Sequence, residues 1–264
     1  MQQKRKVTII TPTFDRLDSL KEAVDCVIKQ SYQNWEYFIV ADGHDPRVRR
    51  LVQNLNDKRI KYLFTLHTGY VGHLQRTFAL KFAKGEFVFC LDDDNIIRRD
   101  YIEKMVDGFT DKETGYVVCQ IDYGDGRFIK PQLPLRVGNI DMLNYMVRTD
   151  LAKKVGGWIP FDLYEADYIF IAKISKISKG KFVPEILGVH RRLKKQRKEP
   201  INIETKSATV SEYHKYILEI KSLFKKATLK LLRLTNIPTD LQKTGRTHIN
   251  RAIYHLLCKV WLKW

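Results

Sequence analysis

Over the first 110 residues, short apolar runs alternate with stretches whose apolar positions recur every three or four residues. Residues 6–11 (Lys-Val-Thr-Ile-Ile-Thr) predict a first strand, ended by Pro12. Leu17, Leu20, Val24, Val27 and Ile28 predict a helix over 16–31, and residues 37–41 predict a second strand ending at Asp42-Gly43. A short helix near 47–55 precedes a third strand at 60–64. Gly72 opens a helix expected to bury Leu74, Phe78, Phe82 and Ala83, closed by Gly85. Residues 87–91 predict a fourth strand, which runs straight into Asp92-Asp93-Asp94-Asn95. Strands alternating with helices imply a mainly parallel, doubly wound α/β sheet.

Beyond residue 110 the pattern loosens. Residues 116–121 predict another strand. Pro131, Pro134, Gly138, Gly156 and Gly157 then mark a loop-rich region suited to a substrate wall. A helix near 166–178 and strand-like segments at 181–183 and 186–190 follow. In the tail, Ile217, Ile220, Phe224, Ala227, Leu231 and Leu234 step by threes and fours among Lys215, Lys225, Lys226, Lys230 and Arg233. That is a basic amphipathic helix, broken by Pro238, and a second is expected over 249–264.

A chain of 264 residues with 44% hydrophobic content can bury a large core and is not disordered. Its N-terminus leads into a strand and not into a signal-peptide core, and no apolar run approaches the roughly 18 residues of a membrane span. Cys26, Cys90, Cys119 and Cys258 form no ligand pair and read as thiols of a reducing, cytoplasmic compartment. The net charge is +17, of which residues 191–264 carry +13, from 18 Lys and Arg against 5 Asp and Glu. Such a tail faces an anionic partner or solvates itself. Trp261 and Trp264 beside Lys259 and Lys263 suit the inner surface of a membrane, as a peripheral protein; packing of both helices accounts for the stripes equally well. Nucleic acid is an unfavoured partner, because few aromatics accompany the basic residues and no reader motif occurs. No dinucleotide-binding or P-loop glycine pattern is present.

The acidic run carries the chemistry. Three consecutive carboxylates cannot enter an apolar core unpaired. At the carboxyl end of a strand in an open α/β sheet they lie where such sheets bind ligands. Carboxylates one residue apart can share a hard cation that also holds a phosphate. An acidic loop that merely caps the next helix would look the same.

Four segments in register change that balance: Thr11-Pro12-Thr13-Phe14-Asp15-Arg16, Asp42-Gly43, the helix bearing Gly72, Arg76 and Gly85, and Asp92-Asp93-Asp94-Asn95. Over residues 6–190 their order resembles family 2 glycosyltransferases of the GT-A fold. The resemblance implies a GT-A nucleotide-sugar-binding domain over 1–200 with a basic amphipathic helical extension over 201–264. It implies a donor-nucleotide set in which Thr11, Pro12 and Thr13 line the base pocket, with Asp15 in the same turn. Asp42 and Arg76 would recognise the base, Asp92 would lie near the ribose, and Asp94 would bind Mn²⁺ or Mg²⁺. Asp93 either faces solvent or adds a nucleotide contact. Gly156-Gly157-Trp158-Ile159-Pro160 and Glu165-Ala166-Asp167 resemble the family's acceptor-side motif, so Asp167 is the implied base and Glu165 the reserve, unless either simply caps the helix. His190 is implied as a further metal ligand, and Arg191, Arg192, Lys194, Lys195 and Arg197 could clamp a diphosphate. No Gln-x-x-Arg-Trp motif occurs, which disfavours a processive synthase.

The expectation is a metal-dependent, inverting glycosyltransferase moving one sugar from a nucleotide donor, a UDP-sugar, to a glycan or lipid-linked acceptor. The alternatives are a catalytically silent sugar-nucleotide-binding module and a protein that binds nucleic acid or an anionic surface through its tail. The presence of Asp92, Asp94 and Asp167 together speaks against the silent module.

Overall fold

A computed structural model of the chain describes residues 5–67, 72–136, 138–158 and 166–191. The first half winds as β1 (Val7–Thr13), α1 (Leu17–Ile28), β2 (Trp35–Asp42), α2 (Pro46–Leu55), β3 (Ile60–Thr65), α3 (His73–Leu80) and β4 (Phe87–Cys90). The second half adds β5 (Ile96–Ile97), α4 (Tyr101–Asp107), β6 (Thr114–Asp122), β7 (Phe128–Ile129) and a 3₁₀ turn (Met142–Asn144). It closes with β8 (Tyr145–Arg148), α5 (Thr149–Lys154), α6 (Ala166–Ser175) and β9 (Lys179–Val189).

One sheet runs in the order β3-β2-β1-β4-β8-β6-β9-β5, with β7 paired to β6. β3, β2, β1 and β4 are parallel, β8 lies antiparallel between β4 and β6, and β6 and β9 are parallel again. The expected mostly parallel α/β sheet is present, curled and mixed.

Period-two alternation splits the core into two layers. Val7, Ile9, Tyr37, Ile39, Phe87 and Phe89 face the layer of α1 and α4, among Leu20, Val24, Ile102 and Met105. Ile10, Phe38, Val40, Val88 and Cys90 face the other, against Ala79 and Leu80 of α3, Ala152 of α5 and Phe170, Ile171 and Ile174 of α6. Cys90 and Cys119 are buried thiols, as expected.

Four expectations need correction. β1 does not stop before Pro12 but continues to Thr13, with Pro12 opposite Val40. Pairing to β4 ends at Ile10 opposite Cys90, so the missing proline N–H breaks no ladder on that side. The two strand-like segments after 180 are one strand, β9, with register shifts. β8 had no forecast at all.

The fourth concerns α3. It buries His73, Gln75, Arg76, Ala79 and Leu80, whereas Phe82 beyond its end is exposed. The stripe misplaces the first half of this helix, where Gln75 and Arg76 turn inward to carboxylates, while further on Ala79, Leu80 and Ala83 meet the apolar core.

Candidate active site

The carboxyl ends of β1, β2, β4, β6 and β9 lie along one rim, and the reversed β8 begins there. That rim gathers Asp42, the Asp92–Asp93–Asp94 run, Asp141 and His190.

On the donor side, Thr11 turns inward. Its hydroxyl donates to Leu91 O (2.6 Å) and lies 2.7 Å from the Tyr37 hydroxyl, tying three strands together below the rim. Period two aims the side chain at the core, so Thr11 could line a base pocket only through its backbone. Pro12 faces α3 so closely that a Cβ on Gly72 would stand 2.7 Å from Pro12 Cγ, and Gly72 has φ +83°, so glycine is required there twice over. Exposed Phe14 stacks on His67, ring centroids 4.6 Å apart. His67 Nδ1 lies 3.2 Å from Asp42 Oδ2, while Gln75 Nε2 donates to Asp42 Oδ1 at 2.8 Å and to Thr65 Oγ1 at 2.9 Å. Phe14, His67 and Gln75 escaped the sequence reading, although Phe14 sat inside a segment already singled out. Asp15, at φ +50°, accepts from Arg47 Nη2 (3.0 Å) at the start of α2.

Arg76, implied as a base-recognising residue, is held by the acidic run. It is buried from α3 and forms an ion pair with Asp92. Burial works against its charge, but Asp92 and the nearby acids outweigh that and hold it above the usual guanidinium range. Burial, helped by Arg76, pulls the His73 imidazole down to about 3, so it is neutral, and its Nδ1 lies 3.3 Å from Arg76 Nη1. Asp93 is buried and does not face solvent, which corrects that alternative. Burial pushes its carboxyl up to about 6, with Thr13 and Arg16 pulling the other way. Arg16 Nη1 donates to Asp93 Oδ1 (3.1 Å) and Asp94 Oδ2 (2.6 Å). Burial and then Asp92 raise the Asp94 carboxyl, while Arg16 and His190 lower it.

On the far side, Asp167 sits in the first turn of α6. It keeps partial solvent contact but is enclosed by protein. Burial pushes its carboxyl up to about 7; Arg76 opposes, and Asp141 and Asp92 reinforce. His190 follows β9 with its ring edge-on to Tyr123 at 5.0 Å and its Nε2 3.9 Å from Asp141 Oδ2. Its Nδ1 is buried without a hydrogen-bond partner among the described residues. Arg191 spans the rim: its N–H donates to Asn95 Oδ1 (3.1 Å), its Nε to Asp94 O (2.8 Å), and its guanidinium pairs with Glu22. Glu165, Arg192, Lys194, Lys195, Arg197 and both tail helices lie outside the described residues.

Asp141 was missed as a site residue. The Asp141-x-x-Asn144 spacing could have signalled a capped turn, but nothing in it signals a place beside Asp92 and Asp167. Among the described residues no three His, Cys, Asp or Glu side chains converge tightly enough to hold a metal by themselves. No described helix is long and apolar enough to cross a membrane.

The order strand, acidic run, capped turn and α6 carboxylate falls within residues 8–170, which match the model described as glycosyl transferase family 2. The chain belongs to glycosyl transferase family 2. Among similar family members is the UDP-Glc:alpha-D-GlcNAc-diphosphoundecaprenol beta-1,3-glucosyltransferase WfgD of Escherichia coli. It is 28% identical over 131 residues, covering 48% of this chain and 51% of WfgD. The putative teichuronic acid biosynthesis glycosyltransferase TuaG of Bacillus subtilis is 29% identical over 126 residues, covering 45% and 50%. The chain thus spans about half the length of these two relatives. Solved structures share the GT-A fold. S. aureus TarS in complex with UDP superposes with TM-score 0.62 at 18% identity, over 71% of this chain and 60% of that one. The mannosyltransferase PcManGT from Pyrobaculum calidifontis, in complex with GDP-Man and Mn²⁺, gives 0.57 at 19%, over 71% and 57%.

Proposed function

We propose that this family 2 chain transfers a sugar from a UDP-sugar to an acceptor hydroxyl with inversion, using Asp167 as base. The observation that carries this reading is the Asp167 carboxyl, raised to about 7 and set across Arg76 from Asp92. A general base works best with a pKa near the working pH. The acceptor O–H proton passes to Asp167 as the oxygen bonds to the anomeric carbon. The bond from that carbon to the diphosphate breaks, and the nucleoside diphosphate leaves.

The base would lie between Phe14 and Asp42, near Gln75 and His67. UDP is favoured because WfgD is named for UDP-Glc and TarS binds UDP and UDP-GlcNAc. Asp92, oriented by Arg76, would take the ribose.

The residues fit a cation brought in with the diphosphate. Asp94 and His190 interact, His190 Nδ1 has no partner among the described residues, and cations of this kind use one or two protein ligands plus phosphate oxygens and water. Asp94 and His190 would hold it, and when bound it would neutralise the departing diphosphate. The WfgD name supports a lipid-linked acceptor, and the +13 tail supports a membrane surface as the place of action.

The test is UDP release from a panel of UDP-sugars, with and without Mn²⁺ and with lipid diphosphate-linked sugars as acceptors. Release that depends on both donor and acceptor is expected. Tight UDP binding with no transfer to any acceptor would favour the silent module.

A further inference from the structure

The place proposed for the nucleotide base already holds a ring. His67 lies on Phe14, with centroids 4.6 Å apart and planes 21° from parallel, and its Nδ1 lies 3.2 Å from Asp42 Oδ2. A carboxylate oxygen only accepts, so this bond puts a proton on Nδ1. The other Asp42 oxygen accepts from Gln75, a buried amide of α3 that also reaches Thr65 Oγ1. Gln75 thereby fixes the carboxylate with Oδ2 turned towards the imidazole. Uracil would make the same two contacts, a flat ring against Phe14 and a ring N–H to Asp42. One face of Phe14 and one carboxylate oxygen cannot serve both rings at once.

We propose that His67 holds the base place until a nucleotide displaces it, and so sets donor affinity by competition. The inference rests on the base lying between Phe14 and Asp42. The His67 side chain is 46% exposed, so rotation about its own bonds carries the ring into solvent without disturbing packed residues. Phe14, Asp42 and Gln75 stay in place to receive the base. The returning ring competes equally with the product, which favours release of the nucleoside diphosphate after transfer.

The experiment is calorimetry of UDP and of pyrophosphate against the full chain with Mn²⁺ present. His67→Ala should bind UDP roughly three- to tenfold more tightly than wild type, the worth of one such hydrogen bond. Pyrophosphate, which has no base, should bind both proteins alike. His67→Ser serves if the alanine variant does not fold. In a crystal structure with UDP, the uracil ring should lie on Phe14 and the imidazole should be turned away.

UDP affinity in His67→Ala equal to or weaker than wild type overturns the proposal, since the imidazole is then a wall of the pocket. A gain for pyrophosphate as large as that for UDP does the same, because the effect is then not at the base. So does a UDP-bound structure with the imidazole still on Phe14 and the base elsewhere. Asp42→Ala and Phe14→Ala are run alongside. If both bind UDP as wild type does, the assignment of the base place falls and this inference with it. If both weaken UDP binding while His67→Ala does not strengthen it, the inference alone falls.

Discussion

Thr77 grips both backbone polar groups of Trp158. Its Oγ1 donates to Trp158 O at 2.8 Å and accepts from Trp158 N at 2.9 Å. The indole then stacks on Phe170 of α6, centroids 4.2 Å apart, and its Nε1 donates to the Tyr145 hydroxyl at 3.0 Å. Position 157 must be small, because a Cβ there would meet Thr77 Oγ1 at 2.8 Å with φ at +74°. One hydroxyl thus anchors the Gly-Gly-Trp segment to α3, behind the cleft.

Thr77→Val keeps the shape and removes both bonds, leaving buried Trp158 groups unpaired. A destabilisation of about 2 kcal/mol is expected from two lost hydrogen bonds, read from urea unfolding. An unchanged midpoint would show that water or another group replaces the hydroxyl.

Asp167→Asn should lower kcat by roughly two to four orders of magnitude with nearly unchanged UDP affinity. In the wild-type chain, kcat/KM should rise with pH through about 7, because the base works only when ionised. A flat profile from pH 5 to 8 in steady-state assays would remove Asp167 from the chemistry.

The same group makes a stability prediction of definite sign. Its carboxyl titrates at about 7 in the fold against an ordinary 3.8, so the folded chain holds a proton that the unfolded chain has released. Stability from this group is complete below the ordinary value and is lost as pH rises through about 7. Asp167→Asn should therefore melt at a higher temperature than wild type at pH 8, with the gap closing towards pH 4 in scanning calorimetry.

Asp94→Ala should abolish the Mn²⁺-dependent part of UDP binding and leave the fold intact, since the residue stands at a strand end beside Arg16 and not in the core. Calorimetry with and without Mn²⁺ decides it. Equal affinity in the variant and wild type, with metal present, removes the metal assignment.

The full chain should co-sediment with vesicles containing anionic lipid. Binding should weaken with salt, as basic residues near such a surface contribute about 1 kcal/mol each. A truncation after residue 205 should lose it. Retention by neutral vesicles alone would point to apolar insertion instead.

What the sequence disclosed follows physical range. β1 to β4 and the acids at 92–94 were legible because alternation, helical spacing and an abrupt change to carboxylates are local signals. The partners were not. The sequence does not pair Arg76 with Asp92, 16 residues away, and it leaves Asp93 open between solvent and a nucleotide contact until Arg16 is set beside it. β8 is only four residues long, with no alternation to betray it, and Asp141 gains its neighbours solely because that strand is where it is.

The reversal of β8 has a consequence for engineering. Since it runs against β4 and β6, the chain leaves the rim at Asp122 and comes back to the same rim at Asp141. Both ends of the intervening stretch are therefore fixed by strands, and β7, Leu135 and Ile140 tie its middle to the sheet and core, so that only the exposed positions between are open to change. A chimaera joined at 122 and 141 would exchange this stretch with both of its strand ends kept in register.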